Sequence, residues 1–234
     1  MSKAKVILIP IGISDDATDV LPTYIVSHIN LCSVFFVENL KTARRAFKKI
    51  DPGFDIDSRV WHEIGKHEEE LTIEFSKALK ENKIIGIASE SGCPGIADPG
   101  HHLVSIAQKN NVEVKPLIGP SSVLLTLMAS GMNGQYFTFN GYLPIQENER
   151  LKQIKLLESK AIKENCTQLF IETPYRNNQL LQSLIKHLDH QTALCIGYHI
   201  TGNDEWIKTK MIGEWKKNSI EIPKQPTMFA IGRL

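Results

Sequence analysis

The chain has 234 residues, and its 27 basic and 26 acidic side chains leave a net charge of +1. This balance excludes a strong overall attraction to nucleic acid, so an RNA substrate would need a local basic patch. The apolar fraction of 42% and the charged fraction of 23% are typical of a globular protein. No apolar run reaches the roughly 18 residues of a membrane span, and the length allows one large or two small domains.

The first half of the chain alternates short apolar runs with amphipathic or charged segments. This alternation predicts strands joined by helical crossovers, and hence a mainly parallel sheet. Asp15 and Asp16 are placed to cap the first helix. The predicted strands lie at 4–9, 33–37, 59–62, 83–88 and 112–117, and the predicted helices at 20–29, 41–50, 68–82 and 101–110.

The second half contains closely spaced strands late in the chain, which indicate antiparallel pairs and a mixed sheet. We place the domain boundary next to residue 117, giving an N-terminal α/β domain at 1–117 and a C-terminal α/β domain at 118–234. The predicted strands lie at 136–139, 168–172, 193–198, 206–212 and 228–232, the helices at 147–163 and 175–187, and a turn at 141–144.

The cysteines and histidines show no metal-site pattern. The cysteines are widely spaced without a CxxC pair, which is typical of reduced thiols in a cytosolic protein. Two histidine pairs, His62 with His67 and His101 with His102, lack a matching carboxylate pattern. The sequence therefore predicts neither a metal ion nor a disulfide. The cysteines are Cys32, Cys93, Cys166 and Cys195.

Three loops at the ends of predicted strands hold the residues that indicate a ligand site. The loop at 89–100 contains three glycines and two prolines, which permit close backbone approach to a ligand and fix the loop shape. The segment at 118–122 places Ser121 and Ser122 at a helix start, and Glu172 lies at the end of a strand. In open α/β sheets ligands bind beyond the carboxyl ends of strands. Each loop also has an alternative without a ligand. The loop at 89–100 could be a rigid turn, Ser121 and Ser122 could only cap a helix, and Glu172 could be an acidic residue favoured at a helix start.

Several common enzyme motifs are missing from the sequence. No GxGxxG follows the first strand, and no GxxxxGK[ST] or GxSxG occurs. These absences argue against a dinucleotide-binding fold, a P-loop NTPase and an α/β-hydrolase, respectively.

Five segments, in order, resemble the motifs of the tetrapyrrole (corrin/porphyrin) methylase superfamily. The resemblance is greatest to its branch that methylates a cytidine ribose in small-subunit ribosomal RNA, and it extends over nearly the whole chain. Residues 10–16 resemble P-I-G-N-L-x-D, 89–100 resemble S-D-A-G-T-P-x-I-S-D-P-G, 118–122 resemble P-G-P-S-A, 141–144 resemble G-F-L-P, and 172–176 resemble E-S-P-H-R.

The resemblance implies a cleft between two α/β domains that holds S-adenosylmethionine (SAM), a cytoplasmic homodimer, and 2'-O-methylation of a cytidine in 16S rRNA within the small ribosomal subunit. By position, the implied cofactor contacts are Pro10, Ser91, Gly92, Cys93, Ile96, Ala97, Ser121, Ser122, Thr173, Pro174, Thr201, Pro226 and Thr227.

The sequence also departs from the branch pattern, mainly by losing cations. Residues 38–44 read E-N-L-K-T-A-R in place of E-D-T-R-x-T-R, and residues 198–202 read Y-H-I-T-G in place of R-E-L-T-K. The basic pair that follows G-F-L-P in the branch is replaced here by Ile145 and Gln146. Lost cations weaken an RNA assignment more than a SAM assignment. A methyltransferase acting on a tetrapyrrole or another small molecule, and a non-catalytic SAM-binding module, therefore remain alternatives. The chain ends at Leu234, so we expect no small extra carboxyl-terminal domain of the kind found in that branch.

Two groups of charged residues are candidates for catalysis and substrate binding. A ribose hydroxyl is a weak nucleophile that benefits from a general base, and Glu90, Glu38 and Glu172 are the candidates in that order, against a surface or capping role. Lys41, Arg44 and Arg45, with Lys48 and Lys49 beside them, form a basic cluster that could contact phosphates, although a solvated helix face is the alternative.

Overall fold

A computed structural model of the chain describes residues 3–17, 19–65, 68–98, 100–218 and 220–234. The chain forms two compact units, Met1–Ser121 (unit 1) and Ser122–Leu234 (unit 2). Each unit contains its own sheet and flanking helices, which confirms the α/β class. Among the described residues, no helix is both long and apolar enough to cross a membrane.

In its described residues, unit 1 contains a five-stranded sheet of parallel strands in the order β3-β2-β4-β1-β5. The strands are β1 (Lys5–Leu8), β2 (Val34–Val37), β3 (Val60–Glu63), β4 (Ile84–Ala88) and β5 (Glu113–Pro116), and the helices are α1 (Ile25–Leu31), α2 (Leu40–Ile50), α3 (Glu68–Lys80) and α4 (His101–Lys109).

Both faces of the unit 1 sheet are apolar, because the crossover helices of a parallel sheet cover both faces. Successive strand residues point to opposite faces, so Ile7 packs on one face with Phe35. Its neighbour Val6 packs on the other face with Phe36. The near-continuous apolar runs of the sequence therefore form strands buried on both sides.

In its described residues, unit 2 contains a mixed five-stranded sheet in the order β6-β7-β10-β8-β9, with one parallel pair, β6 and β7. The strands are β6 (Phe137–Tyr142), β7 (Thr167–Glu172), β8 (Ala193–Tyr198), β9 (Trp206–Met211) and β10 (Thr227–Gly232), and the helices are α5 (Ser122–Ser130), α6 (Glu147–Lys163), α7 (Asn177–His187) and α8 (Ile212–Lys217).

The first helix is shorter and later than the sequence predicted. α1 begins at Ile25 rather than at residue 20, and the carbonyl of Pro22 accepts the Ile25 N–H at 3.1 Å. The N-cap of α1 is Tyr24 rather than Asp15 or Asp16, and the Asp15 carboxylate instead pairs with Arg45 at 2.7 Å.

Two further predictions for unit 2 were wrong in detail. β6 continues as far as Tyr142, through the first half of the segment predicted as a turn, with a register shift between Phe139 and Tyr142. Helix α8 occupies residues to which the sequence assigned only the end of a strand. Its Trp215 indole donates to the Leu194 carbonyl at 2.9 Å, so this short helix is held by tertiary packing.

Candidate functional site

The loops that follow β1, β4 and β5 meet at the carboxyl edge of the unit 1 sheet. The Ile11 N–H donates to the Gly92 carbonyl at 3.0 Å, and the Cys93 thiol donates to the Pro120 carbonyl at 3.3 Å. In the sheet, β1 and β4 are neighbours. The connection after β1 passes β4 to reach β2, and the connection after β4 passes β1 to reach β5. Neighbouring strands whose connections run in opposite directions mark the topological switch point at which α/β sheets bind ligands.

Two glycines allow these loops to approach each other closely. A Cβ on Gly119 would lie 2.1 Å from the Cβ of Pro10, and a Cβ on Gly92 would lie 3.0 Å from the Pro120 carbonyl oxygen. Gly92 also has a φ of +69°, which side chains disfavour. The contact between the loops therefore requires glycine at both positions.

The loop after β4 is held by its own polar groups. The Asp98 carboxylate accepts the N–H groups of Gly95 and Gly100, both at 2.8 Å. Ala97 has a φ of +63°, a conformation that costs energy for a non-glycine residue. Ser91, Ile96 and Ala97 are exposed, Gly92 is buried, and Cys93 is half-buried with a pKa raised by burial. Pro99 of the same motif lies outside the described residues.

Two of the candidate carboxylates, Glu38 and Glu90, lie side by side after β2 and β4. Glu38 Oε2 accepts the backbone N–H of Glu90 at 2.9 Å, and Glu90 Oε1 accepts the Thr42 hydroxyl at 3.5 Å. Burial raises the pKa of Glu38, and the nearby Asp98 and Glu90 charges raise it further, against the lowering effect of the hydrogen bond. Glu38 therefore holds a proton more readily than an exposed glutamate.

Glu172 is engaged in holding the loop after β7. It is buried, and its Oε1 accepts the Arg176 Nη2 at 2.6 Å, the Arg176 Nε at 3.0 Å and the Thr173 N–H at 2.7 Å. One oxygen thus accepts three donors, and the carboxylate fixes the start of the segment that leads into α7.

The remaining predicted cofactor residues of unit 2 lie at one edge of its sheet. Thr227 begins β10 and is paired with the last residues of β7 and β8, Glu172 and Tyr198. The His199 N–H donates to the Pro226 carbonyl at 3.1 Å, so the loops before β10 and after β8 are in contact. The predicted cofactor residues at this edge are Thr173, Pro174, Thr201, Pro226 and Thr227. The two predicted serines lie elsewhere, because Ser121 is the last residue of unit 1 and Ser122 is the first residue of α5.

Two groups at this edge were not predicted from the sequence. The Asn177 side chain donates to the Gln225 carbonyl at 2.8 Å and to the Thr227 hydroxyl at 3.0 Å. His199 is hydrogen-bonded to Asp204. A signal was available for each, because Asn177 directly follows the 172–176 motif and His199 follows a strand that ends in the expected cofactor region.

The chain is similar in sequence and in fold to known methyltransferases. No protein-family model matches the chain. Ribosomal RNA small subunit methyltransferase I of Vibrio cholerae is 30% identical over 161 residues, 69% of this chain and 54% of that protein. The methyltransferase CobJ superposes with a TM-score of 0.63 at 14% identity, over 100% of this chain and 95% of that one. The uroporphyrin-III C-methyltransferase of Thermus thermophilus, complexed with S-adenosylhomocysteine, superposes with a TM-score of 0.55 at 13% identity, over 98% of this chain and 97% of that one.

The chain has the tetrapyrrole methylase fold. It is also a sequence relative of ribosomal RNA small subunit methyltransferase I, so the resemblance seen in the motifs is confirmed. The chain spans about half the length of the curated relatives it matches, 54%, 44% and 48% for three of them.

In this tetrapyrrole methylase fold, the basic cluster of α2 is largely occupied by internal contacts. The Arg44 guanidinium lies 5.3 Å from the Trp61 ring centroid, and Arg45 pairs with Asp15. The Lys49 ammonium donates to the Asp15 carbonyl at 2.9 Å. Lys41 is exposed. The cluster is thus a partly neutralised helix face rather than a set of unpaired cations.

Among the described residues, the histidines and cysteines outside these loops show no metal-binding arrangement. In the part of the chain that the structure describes, no three His, Cys, Asp or Glu side chains are grouped as metal ligands would be. His62 stacks on Phe36 at 4.7 Å, and burial lowers its pKa, while His67 lies outside the described residues. All four cysteines are free thiols.

Proposed function

We propose that the chain is a SAM-dependent methyltransferase. The observation that carries this proposal is the meeting of the loops after β1, β4 and β5, formed by the same segments that resemble the methylase motifs. The sequence similarity to an rRNA methyltransferase supports it. So does the S-adenosylhomocysteine bound to a neighbour that shares the fold.

The residues present fit a nucleotide cofactor that carries a sulfonium. SAM supplies an electrophilic methyl group and needs alignment more than a strong opposing charge, and alignment contributes roughly 7–11 kcal/mol. Gly92 and Gly119 let the loops of unit 1 pack closely against each other, while Ser91 and Ile96 are exposed beside them. In unit 2, the Thr201 Oγ1 is buried without a hydrogen-bond partner among the described residues, as expected of a group that awaits a ligand.

The proposed acceptor is the 2'-hydroxyl of a cytidine ribose in 16S rRNA, within the small ribosomal subunit. Support comes from the names of the curated relatives and from the basic cluster of α2, in which Lys41 is exposed while Arg44 and Arg45 contact Trp61 and Asp15. The proposal also includes a homodimer and a cytoplasmic location; the four cysteines are free, as is typical of cytosolic proteins. Among the carboxylates, Glu38 has a raised pKa and Glu90 lies next to it, whereas Glu172 is paired with Arg176.

Calorimetry tests cofactor binding directly. We expect a saturable heat on titration of SAM or S-adenosylhomocysteine into the wild-type protein, and a weaker affinity for Thr201→Val, which removes the unpartnered hydroxyl. A folded wild-type protein that gives no heat with either compound contradicts the proposal. Sedimentation of the same sample reports whether it is a dimer.

The acceptor is tested with labelled methyl groups. We expect incorporation into small subunits from cells that lack this modification, at a cytidine located by a ribose-methylation map. Incorporation into a tetrapyrrole precursor, with none into the subunits, would support the small-molecule alternative. SAM binding with no transfer to either substrate would support the non-catalytic alternative.

A further inference from the structure

The turn after β8 contains a hydrogen-bonded histidine and aspartate. The His199 Nδ1 is hydrogen-bonded to the Asp204 Oδ1, and the Tyr198 hydroxyl donates to the Asp204 Oδ2 at 3.1 Å. Tyr198 in turn stacks on Trp206, with ring centroids 5.5 Å apart. Both carboxylate oxygens are therefore held, and the hydrogen bond from His199 lowers the pKa of Asp204 and keeps it ionised.

The backbone of this turn is in an unusual conformation. His199 and Thr201 have φ values of +44° and +68°, which are rare and costly for residues other than glycine. The Gly202 N–H donates to the His199 carbonyl at 2.8 Å, and a Cβ on Gly202 would lie 2.4 Å from the His199 ring. Backbone strain of this kind persists where the surroundings fix it, and it is concentrated at functional sites.

The pairing with Asp204 determines what the other ring nitrogen of His199 can do. A carboxylate that accepts from Nδ1 fixes the tautomer with the proton on Nδ1, which leaves the Nε2 lone pair available. Among the described residues, no hydrogen bond to Nε2 is found, and the side chain is 16% exposed. An oriented imidazole with a free Nε2 is the arrangement of a general base.

We propose that His199 is the general base for the acceptor hydroxyl, oriented by Asp204. This inference rests on the proposed methyltransferase function. His199 contacts Pro226 and is two residues from Thr201, both of which belong to the proposed cofactor site. Nε2 takes the hydroxyl proton as the acceptor oxygen bonds to the methyl carbon of the sulfonium donor and the carbon–sulfur bond breaks, its electron pair remaining on sulfur. The proton then passes from Nε2 to water.

The first test replaces the base and keeps its contact with Asp204. The amide of His199→Asn can donate in place of Nδ1 but cannot accept a proton, so we expect the methyl-transfer rate to fall at least about 100-fold. SAM affinity, measured by calorimetry, should stay within about twofold, because the change leaves the Asp204 contact in place. His190→Asn is the matched control, since His190 lies near the Lys216 ammonium in the same unit and should transfer at the wild-type rate.

The second test uses chemical rescue. Glycine accepts the positive φ at position 199 without strain, so His199→Gly should fold, lose transfer and regain part of it on addition of free imidazole. A side chain with only a structural role would show no dependence on imidazole. Imidazole added to the wild type and to His190→Asn is the control.

The third test needs no activity and examines Asp204 as the positioning residue. Nitrogen NMR of histidine-labelled wild-type protein should show the Nδ1–H tautomer for the neutral form of His199. In Asp204→Asn this tautomer should lose its dominance, as expected when the acceptor carboxylate becomes an amide. An Nε2–H tautomer in the wild-type protein overturns the proposed role.

The outcomes separate this inference from the proposed function. If His199→Asn transfers methyl groups at the normal rate while Glu38→Gln loses transfer, the general base is Glu38. The role of His199 is then overturned, and the proposed methyltransferase function is not. A wild-type protein that binds no SAM overturns the proposed function and the catalytic role with it. Loss in His199→Asn, rescue of His199→Gly and normal transfer by His190→Asn support the inference.

Discussion

Gly119 lies so close to Pro10 that a methyl group at this position would overlap the proline ring. Because a Cβ there would lie 2.1 Å from the Pro10 Cβ and 2.4 Å from its Cγ, Gly119→Ala forces the loops after β1 and β5 apart. Overpacking of this kind typically costs about 1–3 kcal/mol of unfolding free energy, and we expect weaker SAM binding as well. Urea denaturation and calorimetry measure the two effects.

Gly134→Ala is the matched control, because nothing lies within 4 Å of a Cβ at position 134. We expect its stability and SAM affinity to stay near the wild-type values. Equal behaviour of the two variants would show that the approach of Gly119 to Pro10 is not needed in solution.

The Cys32 thiol should make stability depend on alkaline pH. Burial raises its pKa from 9.0 to about 12. Above pH 9 the unfolded chain loses this proton while the folded chain retains it, so unfolding becomes more favourable as pH rises from 9 to 12. The effect approaches about 1.4 kcal/mol per pH unit, and the stability from the neutral buried thiol is fully present below pH 9.

Cys32→Ala removes this titration while other alkaline groups stay in place. The difference in unfolding free energy between wild type and variant, measured in urea at pH 8, 9.5 and 10.5, should therefore shrink as pH rises. A difference that stays constant over this range would contradict the raised pKa.

At the scale of elements, α2 depends on a side-chain cap that α6 lacks. The Asn39 side chain accepts the Thr42 N–H at 3.0 Å at the start of α2, whereas Gln146 at the start of α6 makes no such bond. Loss of an N-cap typically costs about 1 kcal/mol. Asn39→Ala should lower the urea midpoint, Asn39→Asp should retain it, and Gln146→Ala should change it little. Equal losses in the two alanine variants would contradict the assigned cap.

Most elements could be predicted because their apolar periodicity agrees with their burial. α6 was predicted over the range that it occupies. α8 was missed because its six residues are too few to show a period and its Trp215 is held by a contact with β8. The early start predicted for α1 counted apolar residues before Pro22, but the helix begins only after this proline.

The site was only partly predictable, and the reason is physical. Glycine and proline composition marked the loop after β4, since close approach and fixed φ need these residue types. The pairing of Glu172 with Arg176 and that of Arg45 with Asp15 depend on rotamers and tertiary packing. The contact of His199 with Asp204 lies in a turn that has positive φ at two non-glycine residues, which the residue types do not indicate.

At the scale of the whole molecule, the two units have separate cores. The effect of a substitution on stability should therefore be measured with a probe in the same unit as the substitution. The apolar clusters around Phe35 and Phe36 belong to unit 1, and those around Phe170 and Met228 belong to unit 2. A chain with two cores can unfold in more than one step, so a single free energy applies only where probes coincide. Trp61 in unit 1 and Trp215 in unit 2 offer such probes.

Overall charge also determines how the protein should bind RNA. With a net charge of +1, attraction to phosphates must come from local cations, and part of the α2 cluster is already paired. Each cation–phosphate contact to a single strand contributes about 0.7 to the slope of log affinity against log salt. We therefore expect a shallow slope for the wild-type protein.

Lys41→Gln should reduce this slope by about 0.7 if the exposed ammonium contacts a phosphate. Lys155→Gln is the matched control, because it removes the same charge from a lysine of α6 that pairs with Glu158 at 3.1 Å. Fluorescence anisotropy of a labelled small-subunit rRNA fragment, titrated at several salt concentrations, gives both slopes. If the two variants have the same slope as the wild type, RNA does not bind at the amino end of α2, and the acceptor must be held by other residues.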